Sequence, residues 1–427
     1  MRIVEMQVTP IAISDPPLLN ASGLHAPYAL RTILELTTDG NVTGISEIPG
    51  SSSTNAALEL ARQTIIGCDP FQLNALRMAL ERQFADEGDR RGGASWDQRL
   101  GVHIYSAVEV ACLDIIGKET NRPVADLLGG AVRPSVPFAA YLFCKPKGAG
   151  GRWGLDTDPA ATGWAAARQQ EAMDPDGIVR QAKAMCEEFG FRSIKLKGGV
   201  LAPAVEVETM LALREAFGPE TPLRIDPNAV WRLETAIECG RQLRGVLEYY
   251  EDPVRGQQAM ASLRQAVDIP LATNMCTTSF ADLPESIRLH SEDVILCDHH
   301  FWGGLRACVE LGRICRTFGR GLSMHSNSHV GVSLAAMTHL ASAVPNLSYS
   351  LDTHYPWQCE DVLVGGPLKF QDGGLSITRQ PGLGVQIDPK ALQSLHENFN
   401  RCGLTRRDDE AEMQKIQPGW KFQAARW

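Results

Sequence analysis

The sequence predicts an α/β protein in which a closed (β/α)-barrel is joined to an α+β capping domain. Between about residues 136 and 365, eight short apolar runs alternate with stretches whose apolar residues have helical spacing. Strands that alternate with helices predict a parallel sheet, and eight strands are the number that closes such a sheet into a barrel. A polar residue ends most of these runs, at the face where barrel proteins carry their active sites.

The chain of 427 residues is too long for one ordinary hydrophobic core, so we expect more than one domain. We assign residues 1–132 to the α+β capping domain and residues 133–368 to the barrel. Residues 369–427 are expected to return to the capping domain and to the barrel mouth.

The capping domain begins with strands and continues with helices. Residues 2–13 and 30–37 alternate apolar and polar positions, as half-buried strands do. From about 54 to 85 and from 103 to 118 the apolar spacing becomes helical. This order of elements predicts a small α+β unit.

Strands and helices alternate regularly through the barrel region. The eight apolar runs are Val136–Phe143, Ser193–Lys197, Leu223–Asp226, Leu247–Glu251, Leu271–Asn274, Asp293–Asp298, Leu322–His325 and Leu347–Asp352. The helices expected between them span 176–188, 204–216, 233–243, 257–266, 281–289, 304–317 and 331–342. Residues 145–175, rich in Gly, Ala, Asp and Pro, interrupt this rhythm and are interpreted as an insertion after the first strand.

Composition and charge argue against several classes of partner. The chain is 44% hydrophobic and has a net charge of −9, which disfavours nucleic acid or an anionic membrane as the main partner. No run reaches the roughly 18 apolar residues of a membrane span, and the N-terminus carries no signal-like apolar run. The eleven cysteines contain no Cys-x-x-Cys pair, which is typical of reduced thiols. We therefore expect a cytoplasmic protein that acts on a small molecule.

Charged or polar side chains end successive barrel strands at intervals of about one strand and one helix. They are Lys197, Asp226, Glu251, Asn274, Asp298 and His325. The carboxyl ends of barrel strands converge on one face, so we expect these side chains to lie together. Because charge is costly to bury without partners, they are expected to serve each other, a metal or a substrate.

Three successive strand ends offer only oxygen ligands. Asp226, Glu251 and Asn274 are hard donors, which suit Mg²⁺. The alternative is that each side chain caps the helix that follows its strand. Three such residues in succession favour the metal site.

Two lysines lie two residues apart on one strand, and therefore on one face of it. Lys195 and Lys197 belong to Ile194-Lys195-Leu196-Lys197 and precede two glycines. The alternative is ordinary solvent-facing alternation on an edge strand. Neighbouring ammonium groups beside a divalent cation lower each other's pKa, so we expect Lys197 to transfer protons and Lys195 to act as an electrostatic partner.

A carboxylate and an imidazole end adjacent strands. Asp298 would fix the tautomer of His325 and raise its basicity, giving a His–Asp dyad opposite the lysines. The alternative is a satisfied core histidine. The surrounding segment His325-Ser326-Asn327-Ser328-His329 and the following Asp352-Thr353-His354 favour the dyad.

These residues carry a resemblance to the enolase superfamily and, within it, to the glucarate dehydratases. The resemblance spans nearly the whole chain. It rests on the Lys-x-Lys strand, on the three oxygen-bearing strand ends, and on scattered segments. The scattered segments are Pro16-Pro17-Leu18-Leu19-Asn20 with His25, His325-Ser326-Asn327, Asp352-Thr353-His354 and Arg407-Asp408-Asp409. The family implies a modified TIM barrel with a capping domain and Mg²⁺ as the cofactor.

The resemblance also implies a reaction and a set of substrate contacts. A base removes the proton beside a substrate carboxylate, and the β-hydroxyl then leaves as water. By similarity, Asn228 and Asn327 stabilise the anion that forms. The residues that the resemblance assigns to substrate binding are Asn20, His25, Tyr141, Ser326, His354 and Arg407. The expected substrate is an aldarate, D-glucarate first, and we expect a homo-oligomer.

Three alternatives stay open. The substrate is another aldarate or a monoacid sugar, although Arg407 and His25 favour a diacid, because a monoacid would leave a cation unpaired. The chain is a non-catalytic relative that acts as a binding or scaffold protein, which the intact strand-end residues argue against. The chain is an unrelated phosphate-handling barrel, although no glycine-rich phosphate signature follows the last two strands.

Overall fold

The computed structural model describes residues 1–85 and 99–427. Within these residues an antiparallel sheet with helices is followed by a curled parallel sheet wrapped by helices, and the C-terminal segment returns to both. The predicted α/β fold class is confirmed. The domain limits at residues 132 and 368 stay a prediction.

Five strands open the chain. They are β1 (Ile3–Ser14), β2 (Leu19–Asn20), β3 (Gly23–Leu24), β4 (Tyr28–Thr38) and β5 (Thr43–Pro49). Strands β1, β4 and β5 form an antiparallel sheet with β4 in the middle, while β2 and β3 form a short hairpin. The strands predicted at 2–13 and 30–37 are β1 and β4, where the alternating pattern places one face against a buried core.

Four helices follow this sheet. They are α1 (Ser52–Ile65), α2 (Leu73–Gln83), α3 (Leu100–Thr120) and α4 (Val124–Leu127). The helical stretch predicted at 54–85 is two helices, because Gly67 takes a left-handed φ of 88° and Pro70 precedes the start of α2. Helix α3 packs against β5 at Gly44, where an added Cβ would lie 2.0 Å from the carbonyl oxygen of Ala111.

Helix α3 is apolar almost all round. Within the described residues it is the one helix long and apolar enough to cross a membrane, yet 78% of its apolar window is buried inside the protein. A core helix of this kind passes the same length and composition test as a membrane span. It is therefore weak evidence for a span.

The barrel region supplies eight further strands and nine helices within the described residues. The strands are β6 (Ser135–Pro137), β7 (Ala140–Phe143), β8 (Ile194–Lys197), β9 (Leu223–Asp226), β10 (Tyr249–Glu251), β11 (Leu271–Thr273), β12 (Val294–Cys297) and β13 (Gly321–Met324). The helices are α5 (Gly163–Ala167), α6 (Pro175–Phe189), α7 (Pro203–Phe217), α8 (Leu233–Gln242), α9 (Gln257–Ala266), α10 (Leu283–Leu289), α11 (His299–Trp302), α12 (Leu305–Thr317) and α13 (Gly331–Ala343). Strands β7 to β13 pair in chain order as one parallel sheet of seven strands.

Two of the predicted barrel strands differ from the structure. The apolar run Val136–Phe143 is split, because β6 leaves the barrel and only β7 joins it. The eighth run, Leu347–Asp352, forms no regular strand among the described residues. It makes single bridges from Leu347 to β13 and from Leu351 to Phe138, so an irregular segment closes the barrel between its first and last strands.

The insertion at 145–175 packs beside the barrel mouth. Lys145 Nζ donates to the carbonyl of Gln170 at 2.6 Å and so ties the two ends of the insertion together. Arg168 Nη1 donates to the carbonyl of Trp357 at 2.6 Å, and Trp357 Nε1 in turn donates to the carbonyl of Tyr141 at 2.8 Å. The insertion therefore supports the wall of the mouth from outside.

The C-terminal segment contacts both earlier parts of the chain. Its elements are β14 (Gly374–Ser376), α14 (Pro389–Cys402) and α15 (Asp409–Ile416). Strand β14 pairs with β6, and α14 packs on β1, where His396 Nδ1 lies 2.7 Å from the carbonyl of Pro10. Beyond α15, the carbonyl of Trp427 accepts from the backbone N–H of Arg232 at 2.7 Å, just after β9. The segment thus bridges the N-terminal sheet and the barrel mouth.

Candidate active site

The ammonium group of Lys195 lies at the centre of the strand ends. It is 2.5 Å from Glu251 Oε2, 2.6 Å from Asp352 Oδ2 and 3.8 Å from Asp226 Oδ2, and all four side chains are buried. Burial lowers the pKa of Lys195, but Asp352 and Glu251 outweigh burial and hold it well above its ordinary value. The lowering of this pKa that was expected from the neighbouring ammonium of Lys197 is therefore outweighed. Lys195 carries a fixed positive charge.

Lys197 lies on the same face of β8 and reaches a different pair of oxygens. Its Nζ donates to Asp226 Oδ2 at 2.6 Å and to Asn228 Oδ1 at 2.7 Å. The backbone N–H of Asn228 donates to the other carboxylate oxygen of Asp226 at 2.9 Å. Burial raises the pKa of Asp226, but Lys197 and Lys195 outweigh burial and lower it. Lys197 therefore has a carboxylate and an amide that fix its amine at the mouth.

The three predicted metal ligands end β9 and β10 and follow β11. Asn274 Nδ2 donates to Glu251 Oε1 at 3.1 Å, while Glu251 Oε2 is buried without a well-directed hydrogen bond. Burial, together with Asp226 and Asp352, raises the pKa of Glu251 well above its ordinary value despite Lys195. This excess of buried negative charge and the all-oxygen donor set of Asp226, Glu251 and Asn274 fit a hard divalent cation.

The backbone at these strand ends is unusual. Asn228, Ala229 and Asp252 have left-handed φ values of 58°, 59° and 36°, and Ala229 N–H donates to the carbonyl of Asp252 at 2.6 Å. The Asp252 carboxylate accepts from Thr273 Oγ1 at 2.5 Å and from the backbone N–H of Asn274 at 2.7 Å. Such conformations are costly for residues other than glycine and cluster at functional sites.

The predicted dyad is present beyond β12 and β13. His325 Nδ1 lies 3.1 Å from Asp298 Oδ2. Burial raises the pKa of Asp298, but His300 and His325 outweigh it and hold that pKa well below its ordinary value. Burial lowers the pKa of His325, and Lys195 and Lys197 lower it further against the opposing effect of Asp298. His325 is therefore a neutral imidazole whose Nδ1–H donates to an ionised carboxylate.

A second group of potential metal ligands includes the carboxylate of the dyad. Asp298, His299 and His300 offer ligand atoms within 4.8 Å of one another. Two imidazoles with one carboxylate suit a transition metal better than Mg²⁺. Both oxygens of Asp298 are already bonded to the imidazoles of His300 and His325, so this group belongs to the dyad.

The residues predicted to hold substrate on the capping side form a hydrogen-bonded chain. His25 lies between Asp15 Oδ2, 2.9 Å from its Nδ1, and Arg407 Nη2, 2.9 Å from its Nε2. Arg407 donates to both carboxylate oxygens of Asp409, at 2.8 and 2.6 Å, and Asn20 Nδ2 donates to Asp409 at 2.7 Å. Arg407 is therefore a paired cation, and the expectation that a monoacid would leave it unpaired is wrong.

Aromatic rings connect the capping side to the strand ends. His354 lies 4.9 Å from the ring of Tyr141 and 6.3 Å from that of His25. Lys195 Nζ lies 4.7 Å from the Tyr141 ring centroid. Burial, with His25 and Arg407, lowers the pKa of His354 well below its ordinary value. His354 is therefore a neutral imidazole in the wall between the two groups.

Ser326 and Asn327 follow the dyad histidine. Ser326 Oγ accepts from the backbone N–H of His354 at 3.1 Å and donates to the carbonyl of Asn327 at 3.2 Å. The hydroxyl of Ser326 therefore ties two loops of the mouth together, and its assignment to substrate binding stays a prediction.

A cavity of about 640 Å³ lies between the capping domain and the loops after β12 and β13. Of the predicted residues, His25, Asn327 and Arg407 line it, together with Phe301 and Ser328. Such a cavity is of the size that small-molecule sites occupy.

Four residues of this network were not among the predicted site residues. Asp15 directly precedes the Pro16-Pro17 segment, Asp409 follows Arg407 by two positions, His300 follows Asp298 by two, and Asp352 precedes His354 by two. Each is a charged or titratable neighbour of a predicted residue. Their positions were therefore visible in the sequence, but which side chain each one contacts was not.

Two family models match the chain. Residues 9–129 match the N-terminal domain of the mandelate racemase and muconate lactonizing enzymes, and residues 177–391 match the enolase C-terminal domain-like family. The second model alone spans half of the chain, and it contains the predicted strand ends.

Individual proteins of this family are similar over the whole chain. A probable glucarate dehydratase from Streptomyces coelicolor is 44% identical over 98% of this chain and 97% of its own length. An L-talarate/galactarate dehydratase from Salmonella typhimurium is 28% identical over 89% of this chain and 86% of its own. The crystal structure of an enolase from Pseudomonas fluorescens with bound magnesium, potassium and tartrate is 45% identical, with a TM-score of 0.92 and coverage of 100% and 99%.

The resemblance inferred from the sequence is thus confirmed, and the relatives include dehydratases of sugar acids. The chain belongs to the enolase superfamily and is a dehydratase-like member of it.

Proposed function

We propose that this protein is a Mg²⁺-dependent acid-sugar dehydratase with D-glucarate as its first substrate. The observation that carries the proposal is the meeting of three groups at one barrel mouth. The first group is the set of buried oxygen ligands, and the second is the charged Lys195 beside them. The third is the neutral His325, which is bonded to the carboxylate of Asp298. Together these groups can take a proton from the carbon beside a carboxylate and stabilise the anion that forms.

Asp226, Glu251 and Asn274 would hold the metal. When bound, Mg²⁺ supplies positive charge that stabilises the anion formed beside the substrate carboxylate. Lys195 adds a fixed positive charge from the chain itself, 2.5 Å from Glu251. The amides of Asn228 and Asn327 are suited to donate hydrogen bonds to the same developing charge.

Proton transfer is assigned to His325 and Lys197. One of them takes the α-proton, and the electron pair of the C–H bond moves onto the carboxylate to give an enediolate. When His325 is the base, it holds the α-proton as an imidazolium and returns it as the C–O bond of the β-hydroxyl breaks, so that the hydroxyl leaves as water. The enol that remains tautomerises to a keto acid. Strands β8 and β13 are not neighbours, so the two bases reach the substrate from different sides.

The distal end of the substrate is assigned to Asn20, His25, His354 and Arg407, with Tyr141 in the wall. Similarity to the probable glucarate dehydratase supports a diacid. Its far carboxylate would share the Arg407 guanidinium with Asp409. The existing Arg407–Asp409 pair favours a second candidate, an acid sugar with a neutral far end. A cytoplasmic homo-oligomer remains part of the proposal.

We expect Mg²⁺ to be essential. Excess chelator should abolish dehydration, and Asp226→Asn should weaken Mg²⁺ binding measured by calorimetry, because one of two carboxylate ligands is lost. Asp268→Asn, at a side chain that is 80% exposed, is the matched control and should bind normally. Full activity in chelator would contradict the metal assignment.

We expect His325→Asn and Lys197→Met each to lower kcat, by roughly 10²–10⁴-fold for a general acid–base group. Circular dichroism should show that both variants fold. His396→Asn, in α14 and away from the mouth, is the control. If both active-site variants stayed within a few-fold of wild type, the proton-transfer assignment would be wrong.

We expect kcat/KM to be level through neutral pH and to fall only on the acid side, below the ordinary histidine value of 6.5. The pKa of His325 is lowered, so its neutral, proton-accepting form is lost only as the pH falls through that lowered value. An acid limb centred above 6.5 in the pH profile would argue against His325 as the base.

We expect D-glucarate to be dehydrated better than gluconate. A charge-assisted hydrogen bond is worth about 1.5–3 kcal/mol, so Arg407→Ala should raise KM for the diacid by roughly one to two powers of ten and leave gluconate nearly unchanged. Arg401→Ala, on an exposed face of α14, is the control. If gluconate were preferred to every aldarate, the diacid substrate would be wrong while dehydration stood.

A further inference from the structure

We propose that His300 is a positioning residue that holds the carboxylate of Asp298, and through it His325, in the orientation that proton transfer needs. The inference rests on the proposed function, in which His325 moves the proton. His300 lies in α11, which follows β12 directly, and its side chain is 7% exposed.

The two oxygens of Asp298 are divided between two imidazoles. Asp298 Oδ1 accepts from the backbone N–H of His300 at 2.9 Å and lies 2.8 Å from His300 Nδ1. Asp298 Oδ2 is left for His325 Nδ1 at 3.1 Å. An ionised carboxylate can only accept, so both imidazoles donate from Nδ1. The ring of His300 therefore fixes the orientation in which the carboxylate faces His325.

The far side of the His300 ring is also held. Its Nε2 lies 3.1 Å from Ser333 Oγ, 3.0 Å from the carbonyl of Glu47 and 3.4 Å from Arg31 Nη2. The Glu47 carboxylate in turn accepts from Arg31 Nε at 2.7 Å and from the backbone N–H of Ser333 at 2.8 Å. His300 is thus fixed between the dyad carboxylate and the capping domain.

A helix cap alone would not fix the orientation of the Asp298 carboxylate. Asp298 is the N-cap of α11, and its contact with the backbone N–H of His300 needs no imidazole. A cap holds one oxygen through a single donor and leaves the carboxylate free to turn about that bond. The second donor on the same oxygen removes that freedom, and the spacing Asp298-His299-His300 provides it. We infer that the imidazole serves the dyad rather than the helix.

The test compares three substitutions at position 300. His300→Asn keeps a donor near the position of Nδ1, His300→Gln carries its amide farther out, and His300→Leu has no donor. We expect Gln and Leu to lower kcat on D-glucarate by about 10²-fold, the effect of a misplaced catalytic group, with KM nearly unchanged. Asn should retain most of kcat. His396→Asn, in α14 and away from the mouth, is the control.

Proton exchange separates a positioning role from general damage. D-glucarate and L-idarate differ in configuration at one α-carbon, so two bases that reach the substrate from different sides would each serve one of these epimers when exchange is followed in D₂O. His300→Leu should slow exchange for the epimer served by His325 and spare the epimer served by Lys197. Equal loss for both epimers, wild-type kcat in the Gln and Leu variants, or an Asn variant as poor as Leu would overturn the inference.

A measurement without substrate tests the positioning role of His300 independently of the proposed function. The ¹⁵N shifts of the His325 ring, assigned by comparison with His325→Asn, should report one Nδ1–H tautomer in the wild type and a mixture in His300→Leu. An unchanged tautomer would overturn the positioning role. If the wild type dehydrated no acid sugar but its tautomer still depended on His300, the proposed function alone would fail.

Discussion

A single buried ammonium group, Lys195 Nζ, determines how the barrel mouth is arranged. Carboxylates from two strand ends, Asp226 and Glu251, and from the irregular closing segment, Asp352, surround it within 3.8 Å. None of these charges could be buried alone, because ions are costly to remove from water unless they are paired. Lys197 also pairs with Asp226, and the buried Arg224 guanidinium lies 3.9 Å from Asp352 Oδ1, so these two carboxylates do not depend on Lys195 alone. Among the described ion pairs Glu251 has Lys195 as its one cation, so Glu251 is the carboxylate at which a further cation would be accommodated.

The side of the mouth around His325 favours a neutral group, in contrast to the charged groups around Lys195. Around His325, burial and the two lysines favour the neutral ring, while Asp298 favours the charged one. The balance gives an imidazole that can accept a proton and whose tautomer is fixed. A region rich in buried carboxylates and an imidazole that two cations keep neutral thus lie on one barrel face. One region is charged and the other neutral because the residues that form them follow different strands of the barrel.

Much of this could be predicted from the sequence, since the interval between strand ends is the length of one strand and one helix. The interval located Lys197, Asp226, Glu251 and His325 correctly. It could not show that Val136–Phe143 spans two strands, because Val136 and Ala140–Phe143 belong to one apolar run and the pairing of β6 with the distant β14 separates them only in the folded chain. It also could not show the partner of Arg407. Spacing reveals which charged residues are near in the chain, but not which of them meet after folding.

The capping side of the site joins residues from opposite ends of the chain. His25 and Arg407 are 382 residues apart in sequence, and Asp409 holds Asn20 from 389 residues away. N-terminal parts of a protein generally fold first during synthesis. On the ribosome, the barrel strands with their lysines and carboxylates are therefore made before the distal wall of the pocket can exist. A nascent or prematurely ended chain would carry the lysines and carboxylates of the strand ends without Arg407 and Asp409, so under the proposed function the groups assigned to the distal end of the substrate would be added last.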